Sequence, residues 1–124
     1  MTISSIENYI QGWIDGDIEK VLRVLSENCG IIESHGPKFV GKEQVRIWMN
    51  GWKERGGEIR EWKVIKIVQG DDAAAIEWEF ECLDRGREYK FSGASIITFQ
   101  DGLICRITEY MRTQKPCSGI EEYT

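Results

Sequence analysis

The stretch Ala75-Ile76-Glu77-Trp78-Glu79-Phe80-Glu81-Cys82-Leu83 alternates strictly between apolar and acidic side chains. Ile76, Trp78, Phe80 and Cys82 point one way, and Glu77, Glu79 and Glu81 the other. This period of two marks a strand with one buried face and one wet face. Three carboxylates two residues apart repel one another, so the wet face needs cations beside it. The next stretch, Arg87 to Phe99, keeps the rhythm and supplies Lys90. If both strands keep one buried face, the four-residue loop Asp84-Arg85-Gly86-Arg87 pairs Cys82 with Tyr89, Phe80 with Phe91, and Trp78 with Gly93. The same register sets Glu81 against Lys90, an opposite-charge cross-strand pair. The rest of the chain must then cover the Trp78/Phe80 face.

Downstream, Gln100-Asp101-Gly102 reverses the chain, and the form of that turn decides what the last strand buries. A two-residue Asp-Gly turn buries Ile104, Arg106, Thr108 and Tyr110. A three-residue loop with Gly102 in the left-handed bulge position buries Cys105, Ile107, Glu109 and Met111 instead. Burying an unpaired Arg is the costlier option, so the three-residue loop is expected, with Glu109 opposite Gly93. Gly93 lacks a side chain and leaves room beside Trp78.

Upstream, Ile6, Tyr9, Ile10, Trp13 and Ile14 form one helical stripe, with Ser4 and Ser5 as N-caps. Asp15-Gly16-Asp17 breaks it, and Asp17 caps a second helix carrying Ile18, Val21, Leu22 and Leu25 to about Asn28, a helical hairpin. A short strand follows from Gly30 to His35, with Ile31, Glu33 and His35 on one face, and Gly36-Pro37 turns the chain. A third helix starts around Gly41-Lys42-Glu43 and carries Val45, Trp48, Met49 and Trp52, ending at Gly56-Gly57. Ile59 to Gln69 is the next strand, and Gly70-Asp71-Asp72 turns into the alternating stretch.

The 124 residues suit one domain, expected over 1–113, with 114–124 as a flexible polar tail. A hydrophobic share of 41% with 30% charged residues is globular. Net charge of −5 argues against a nucleic-acid partner, which needs clustered Lys and Arg. No apolar run approaches a membrane span and no signal peptide precedes the first helix, so a cytoplasmic protein is expected. Cys29, Cys82, Cys105 and Cys117 lack metal-like spacing and read as free thiols, although sequence does not exclude bridging. Five Trp residues are the unusual count, fitting a large core or an apolar ligand cavity.

The order of elements, with Tyr9 … Gly16-Asp17, the Gly41-Lys42-Glu43 helix start and Gln100-Asp101-Gly102 … Glu109-Tyr110-Met111, resembles the nuclear transport factor two-like superfamily. Within it the chain is most similar to SnoaL-like and ketosteroid-isomerase-like small proteins, from about Ile3 to Arg112. The resemblance implies an α+β fold in which a cone-shaped, curved, mainly antiparallel sheet wraps around three N-terminal helices. It also implies a pocket at the open end and, in many members, dimerisation through the sheet's outer face. Glu77, Glu79, Glu81, Lys90, Arg106, Thr108, Tyr110 and Arg112 would lie there, suited to a two-fold interface or to a solvated, salt-bridged face. Such folds carry many activities, so function rests on the site.

By the same resemblance Glu33 matches the catalytic base, Tyr9 the oxyanion-donating tyrosine and Ser95 the second oxyanion donor, where the isomerases carry a protonated carboxylic acid. A carboxylate among Trp48, Trp52 and Trp78 loses solvation, and its pKa should rise. The alternative for Glu33 is an edge position paired to solvent or to Arg; for Tyr9, plain ring packing. Glu109 adds a possible second carboxylate, used as acid/base in SnoaL-like cyclases, or else a structural acceptor at the strand edge. His35 either relays a proton or sits in the rim loop. Trp13, Trp48, Trp52, Trp78 and Phe80, with Met111, are the expected lining; the face of Trp62 stays open. The resulting expectation is an apolar, ring-bearing small molecule isomerised or cyclised by acid/base chemistry, without cofactor or metal. The rival is a non-catalytic binding or dimerisation module.

Overall fold

The computed structural model describes residues 2–123. Two packed helices open the chain, α1 (Thr2–Asp15) and α2 (Ile18–Arg23). Strands β1 (Leu25–Ile32) and β2 (Lys38–Val40) precede α3 (Lys42–Glu54). Four long strands follow: β3 (Glu58–Gln69), β4 (Ala73–Asp84), β5 (Arg87–Gln100) and β6 (Leu103–Met111). The six strands form one mixed, unclosed, curved sheet in the order β2-β1-β6-β5-β4-β3, in which only β1 and β6 run parallel. Register shifts in β3, β6 and β1 bend it around the helices. This is the α+β cone. After β6 the chain ends in a short 3-10 helix, Gly119–Tyr123.

The helical stripes behave as their spacing requires. Ile6, Tyr9, Ile10 and Trp13 of α1, Val21 and Leu22 of α2, and Val45 and Met49 of α3 are all buried. Helix α1 packs on β3 and β6, and α3 on β1 and β2. Asp17 caps α2, its Oδ1 accepting from the Lys20 amide at 3.2 Å. Ser4 and Ser5 lie inside α1 rather than ahead of it.

Several expectations are corrected. Helix α2 stops at Arg23, because the Val24 carbonyl accepts from the Ile104 amide at 2.8 Å and draws Leu25 into parallel pairing with β6. Leu25 is still buried, but as a strand residue. Consequently β1 occupies Leu25–Ile32, and Glu33 to Gly36 form the turn that leads into β2, a strand the sequence reading did not anticipate. In that turn the Gly36 amide donates to the Glu33 carbonyl.

The β4–β5 register is as read, from Cys82↔Tyr89 through Trp78↔Gly93, with Glu81 against Lys90. Asp84 and Arg87 also pair, so the loop proper is Arg85-Gly86, both at positive φ, a two-residue type I′ turn. The β5–β6 turn is likewise two residues, Asp101-Gly102 at φ 53° and 79°, not three. Phe99 pairs with Ile104 but Thr98 with Arg106, leaving Cys105 as a bulge. Ile104 and Ile107 can therefore both be buried, Arg106 stays exposed, and Cys105 is half-buried. Both alternatives had assumed uninterrupted alternation; the bulge flips the face after the turn. Glu109 consequently lies opposite Ser95 rather than Gly93, and Met111, opposite Gly93, is exposed rather than buried.

All four cysteines are free. No helix among the described residues is long and apolar enough to cross a membrane.

Candidate functional site

The concave face is laid down in rows across the strands. The deepest is Ala74, Ile97, Ile107 and Ile31, all apolar and buried. The next is Ile76, Ser95 and Glu109, then Trp78, Gly93 and Met111, and finally Phe80 and Phe91. Polarity thus enters an apolar wall at one row. Continuing the parallel register Ile31↔Ile107 and Ile32↔Thr108 by one residue sets Glu33 beside Glu109.

Glu109 is the desolvated carboxyl of the pair. Burial, the hydrogen bond to the Glu33 carboxyl and the charge of Glu33 push its pKa well above the usual carboxylate range. Two carboxyl groups in hydrogen-bonding contact hold one proton between them more readily than two negative charges. Ser95 acts the other way: its Oγ lies 3.4 Å from Glu109 Oε2 and donates to the charged form. Ser95, 1% exposed, in turn accepts from Trp78 Nε1 at 2.9 Å. The hydroxyl is oriented by an indole that is itself buried.

Tyr9 approaches from α1. Burial raises its pKa well above the ordinary phenol value, and the charges of Glu109, Glu33 and Cys29 add to the effect. The phenol is thus a neutral O–H donor. Trp13 lies near enough to the hydroxyl to offset part of this shift, yet its Nε1 forms no well-aligned hydrogen bond. Trp62 Nε1 is also buried without a partner.

Around these polar groups the aromatic rings fall into two sets. Tyr9, Trp62, Trp78, Phe80 and Phe91 form one, with edge contacts of Trp62 on Tyr9 (6.2 Å), Trp78 (6.5 Å) and Phe80 (5.4 Å). The Trp78 ring passes over Gly93, where an added Cβ would come within 2.7 Å of Trp78 Cη2 and against the Tyr110 carbonyl. Trp48, stacked on Phe39 at 4.2 Å and tilted against Trp13, forms the other. Trp52 lies apart, under the Arg55 guanidinium at 5.5 Å.

Tyr9, Glu33, Ser95, Glu109 and Trp78 therefore converge, and Phe80 joins them through its rings. Trp48 and Trp52 make no ring contact with that set, His35 is exposed in the turn after β1, and Met111 is at the outer end of its row. Trp62 is the residue that sequence reasoning left open. Its neighbours Glu61 and Lys63 were the signal that it faces inward, but the irregularities in β3 blur the period. Among the described residues no three His, Cys, Asp or Glu side chains are grouped to hold a metal ion.

The model of the SnoaL-like domain matches residues 6–107. The chain belongs to the SnoaL-like domain family. No curated protein matches the sequence. Among solved structures, a LEH-like epoxide hydrolase of Mycobacterium tuberculosis superposes with a TM-score of 0.80 at 15% identity, over 90% of this chain and 82% of that one. TerC, crystallised with polyporic acid, gives 0.76 at 16% identity, over 90% and 92%. A candidate polyketide cyclase from Silicibacter gives 0.73 at 23% identity, over 90% and 89%. At these identities the likeness to this SnoaL-like chain is one of fold.

Proposed function

We propose that this SnoaL-like protein binds an apolar, ring-bearing carbonyl compound against its inner aromatic face and isomerises or cyclises it by acid/base chemistry. The observation that carries the reading is Glu109, half-buried between the Ser95 hydroxyl and the Glu33 carboxyl with Tyr9 alongside. In this reading Glu33 removes a proton from carbon next to the carbonyl. Tyr9 and the protonated Glu109 donate hydrogen bonds to the enolate oxygen that forms, and Ser95 holds Glu109 in place. An acid kept neutral by its apolar surroundings is suited to that donor role. TerC's polyporic acid and the candidate polyketide cyclase of Silicibacter agree with a ring-bearing ligand class. Four unbridged cysteines suit a reduced, cytoplasmic setting.

The test is turnover of apolar ketones and polyketide-like compounds that quench the Trp fluorescence. Glu33→Gln and Glu109→Gln should each lower turnover at least about 100-fold, the scale of general acid/base catalysis. Unchanged turnover in both variants overturns the mechanism and leaves the rival, a non-catalytic module. The rival draws on the Trp78–Ser95 bond and the edge-packed rings, which fill part of the inner face themselves.

We also propose that the outer sheet face pairs two copies. Lys63 against Glu79 and Lys66 against Glu77 alternate in sign there, beside exposed Ile96 and Tyr110. A monomer by analytical ultracentrifugation at micromolar concentration counts against it.

A further inference from the structure

Two hydroxyl groups meet at the site, and each has an indole behind it. Ser95 Oγ accepts from Trp78 Nε1 at 2.9 Å and lies 3.4 Å from Glu109 Oε2. Tyr9 has Trp13. The two residues are four apart on α1, the spacing that sets side chains one above the other on a single helix face, and both are buried. Trp13 Nε1 is itself buried and has no hydrogen-bond partner. An indole N–H can only donate, and leaving it bare in an apolar interior is costly.

The acceptor it reaches for is the Tyr9 hydroxyl: Trp13 pulls the phenol's pKa down, against the larger upward push of burial. The Tyr9 ring packs edge-on against Trp62 at 6.2 Å, and the Trp13 ring lies against Trp48 at 4.6 Å. With both rings held, the torsion of the phenol O–H is the freedom that remains. A phenol that donates to a ligand oxygen turns its lone pairs away from that oxygen. A hydroxyl that accepts while it donates is the stronger donor, because chained hydrogen bonds polarise one another.

We propose that Trp13 is the positioning residue of Tyr9: its Nε1–H donates to Tyr9 Oη while the phenol donates to the ligand oxygen, so that indole, phenol and ligand form one chain of hydrogen bonds. This rests on the interior ligand site proposed above and adds a residue to it. Trp13 touches no ligand and acts through Tyr9. The chain has the same order as Trp78, Ser95 and Glu109. Each of the two donors to the enolate oxygen, Tyr9 and Glu109, then stands at the end of a chain that an indole begins.

The probe is 2-naphthol, whose ionised oxygen carries its charge where an enolate oxygen would. Its ionisation when bound to the full chain is followed by absorbance in the parent, Trp13→Phe, Tyr9→Phe and the double variant. Trp13→Phe keeps a ring against Trp48 and removes the N–H. It should weaken the ionisation of bound 2-naphthol about three- to tenfold, the scale of one hydrogen bond. In the Tyr9→Phe background the same change should have no further effect, since the hydroxyl it acts through is gone. Unchanged ionisation in Trp13→Phe, or effects that add in the double variant, overturns the proposal. Should Trp13→Phe not fold, the Trp13 indole N–H resonance decides. It should move downfield when 2-naphthol binds the parent and stay in place in Tyr9→Phe; a signal that moves in both or in neither overturns the proposal. If Tyr9→Phe weakens the ionisation and Trp13→Phe does not, the positioning role falls and the site stands. If neither Tyr9→Phe nor Glu109→Gln alters it, the interior ligand reading falls and takes the positioning role with it.

Discussion

Ser95 faces Glu109 directly across β5 and β6, its Oγ 3.4 Å from Glu109 Oε2. The hydroxyl favours the charged form of Glu109; burial and Glu33 favour the neutral one. The balance makes Glu109 a carboxyl that the fold prefers protonated.

Stability should accordingly fall with rising pH. A group whose pKa is higher folded than unfolded binds more protons in the native state. Its stabilisation is therefore complete below the ordinary carboxylate range and is lost as pH rises through the raised folded value. The slope for one such group is at most about 1.4 kcal/mol per pH unit. Glu109→Gln, neutral at all pH, should flatten the curve and be the more stable protein at pH 8. Urea unfolding from pH 5 to 9 checks this; parallel curves for both proteins refute it.

Ser95→Ala should destabilise by about 1–3 kcal/mol, because it strands the buried Trp78 Nε1 without an acceptor. It should also raise the Glu109 pKa further, since the bond it removes lowers that value. Thermal unfolding reads the first effect and carboxyl NMR titration the second.

The two indoles of the inner face should respond differently. Trp78→Phe breaks the bond to Ser95, whereas Trp62→Phe removes a donor that has no partner. Both changes lose ring volume, so the difference isolates the hydrogen bond. Trp78→Phe should cost about 1 kcal/mol more than Trp62→Phe. Equal costs by denaturant titration would contradict the bonding pattern.

Gly93→Ala should destabilise by about 1–3 kcal/mol through overpacking. The new methyl meets the Trp78 ring and the fixed Tyr110 carbonyl. The near-UV circular dichroism of the Trp set should change with it. In the Trp78→Phe background, whose shorter ring no longer meets the methyl, Gly93→Ala should cost less than in the parent; an equal cost would assign the clash to the Tyr110 carbonyl alone.

Much of the fold was legible because it rests on local patterning. The alternation from Ile76 to Cys82, the stripe from Ile6 to Trp13 and the Gly41 start of α3 each state their own period or cap, and each became the element they described. Where two patterns competed, the sequence did not decide. Leu25 fits the stripe of α2 and the buried face of β1 equally well, and pairing with Ile104 drew it into the strand. Trp62 sits in a strand with irregular register, so its face depended on Phe80 opposite.

Sequence alone determined which side chains are apolar, which turns reverse the chain and which strands of β4 and β5 pair, because these follow from residues close along the chain. The site was decided by tertiary structure. The cost of burying Arg106 already set Ile107 and Glu109 inward, but the structure reaches those faces through a bulge at Cys105 rather than a three-residue loop. The parallel pairing of β1 with β6 brings Glu33 to Glu109 from 76 positions away. Neither the bulge nor the crossover pairing has a local signature. Both follow from how a curved sheet closes over a core whose volume the whole chain sets.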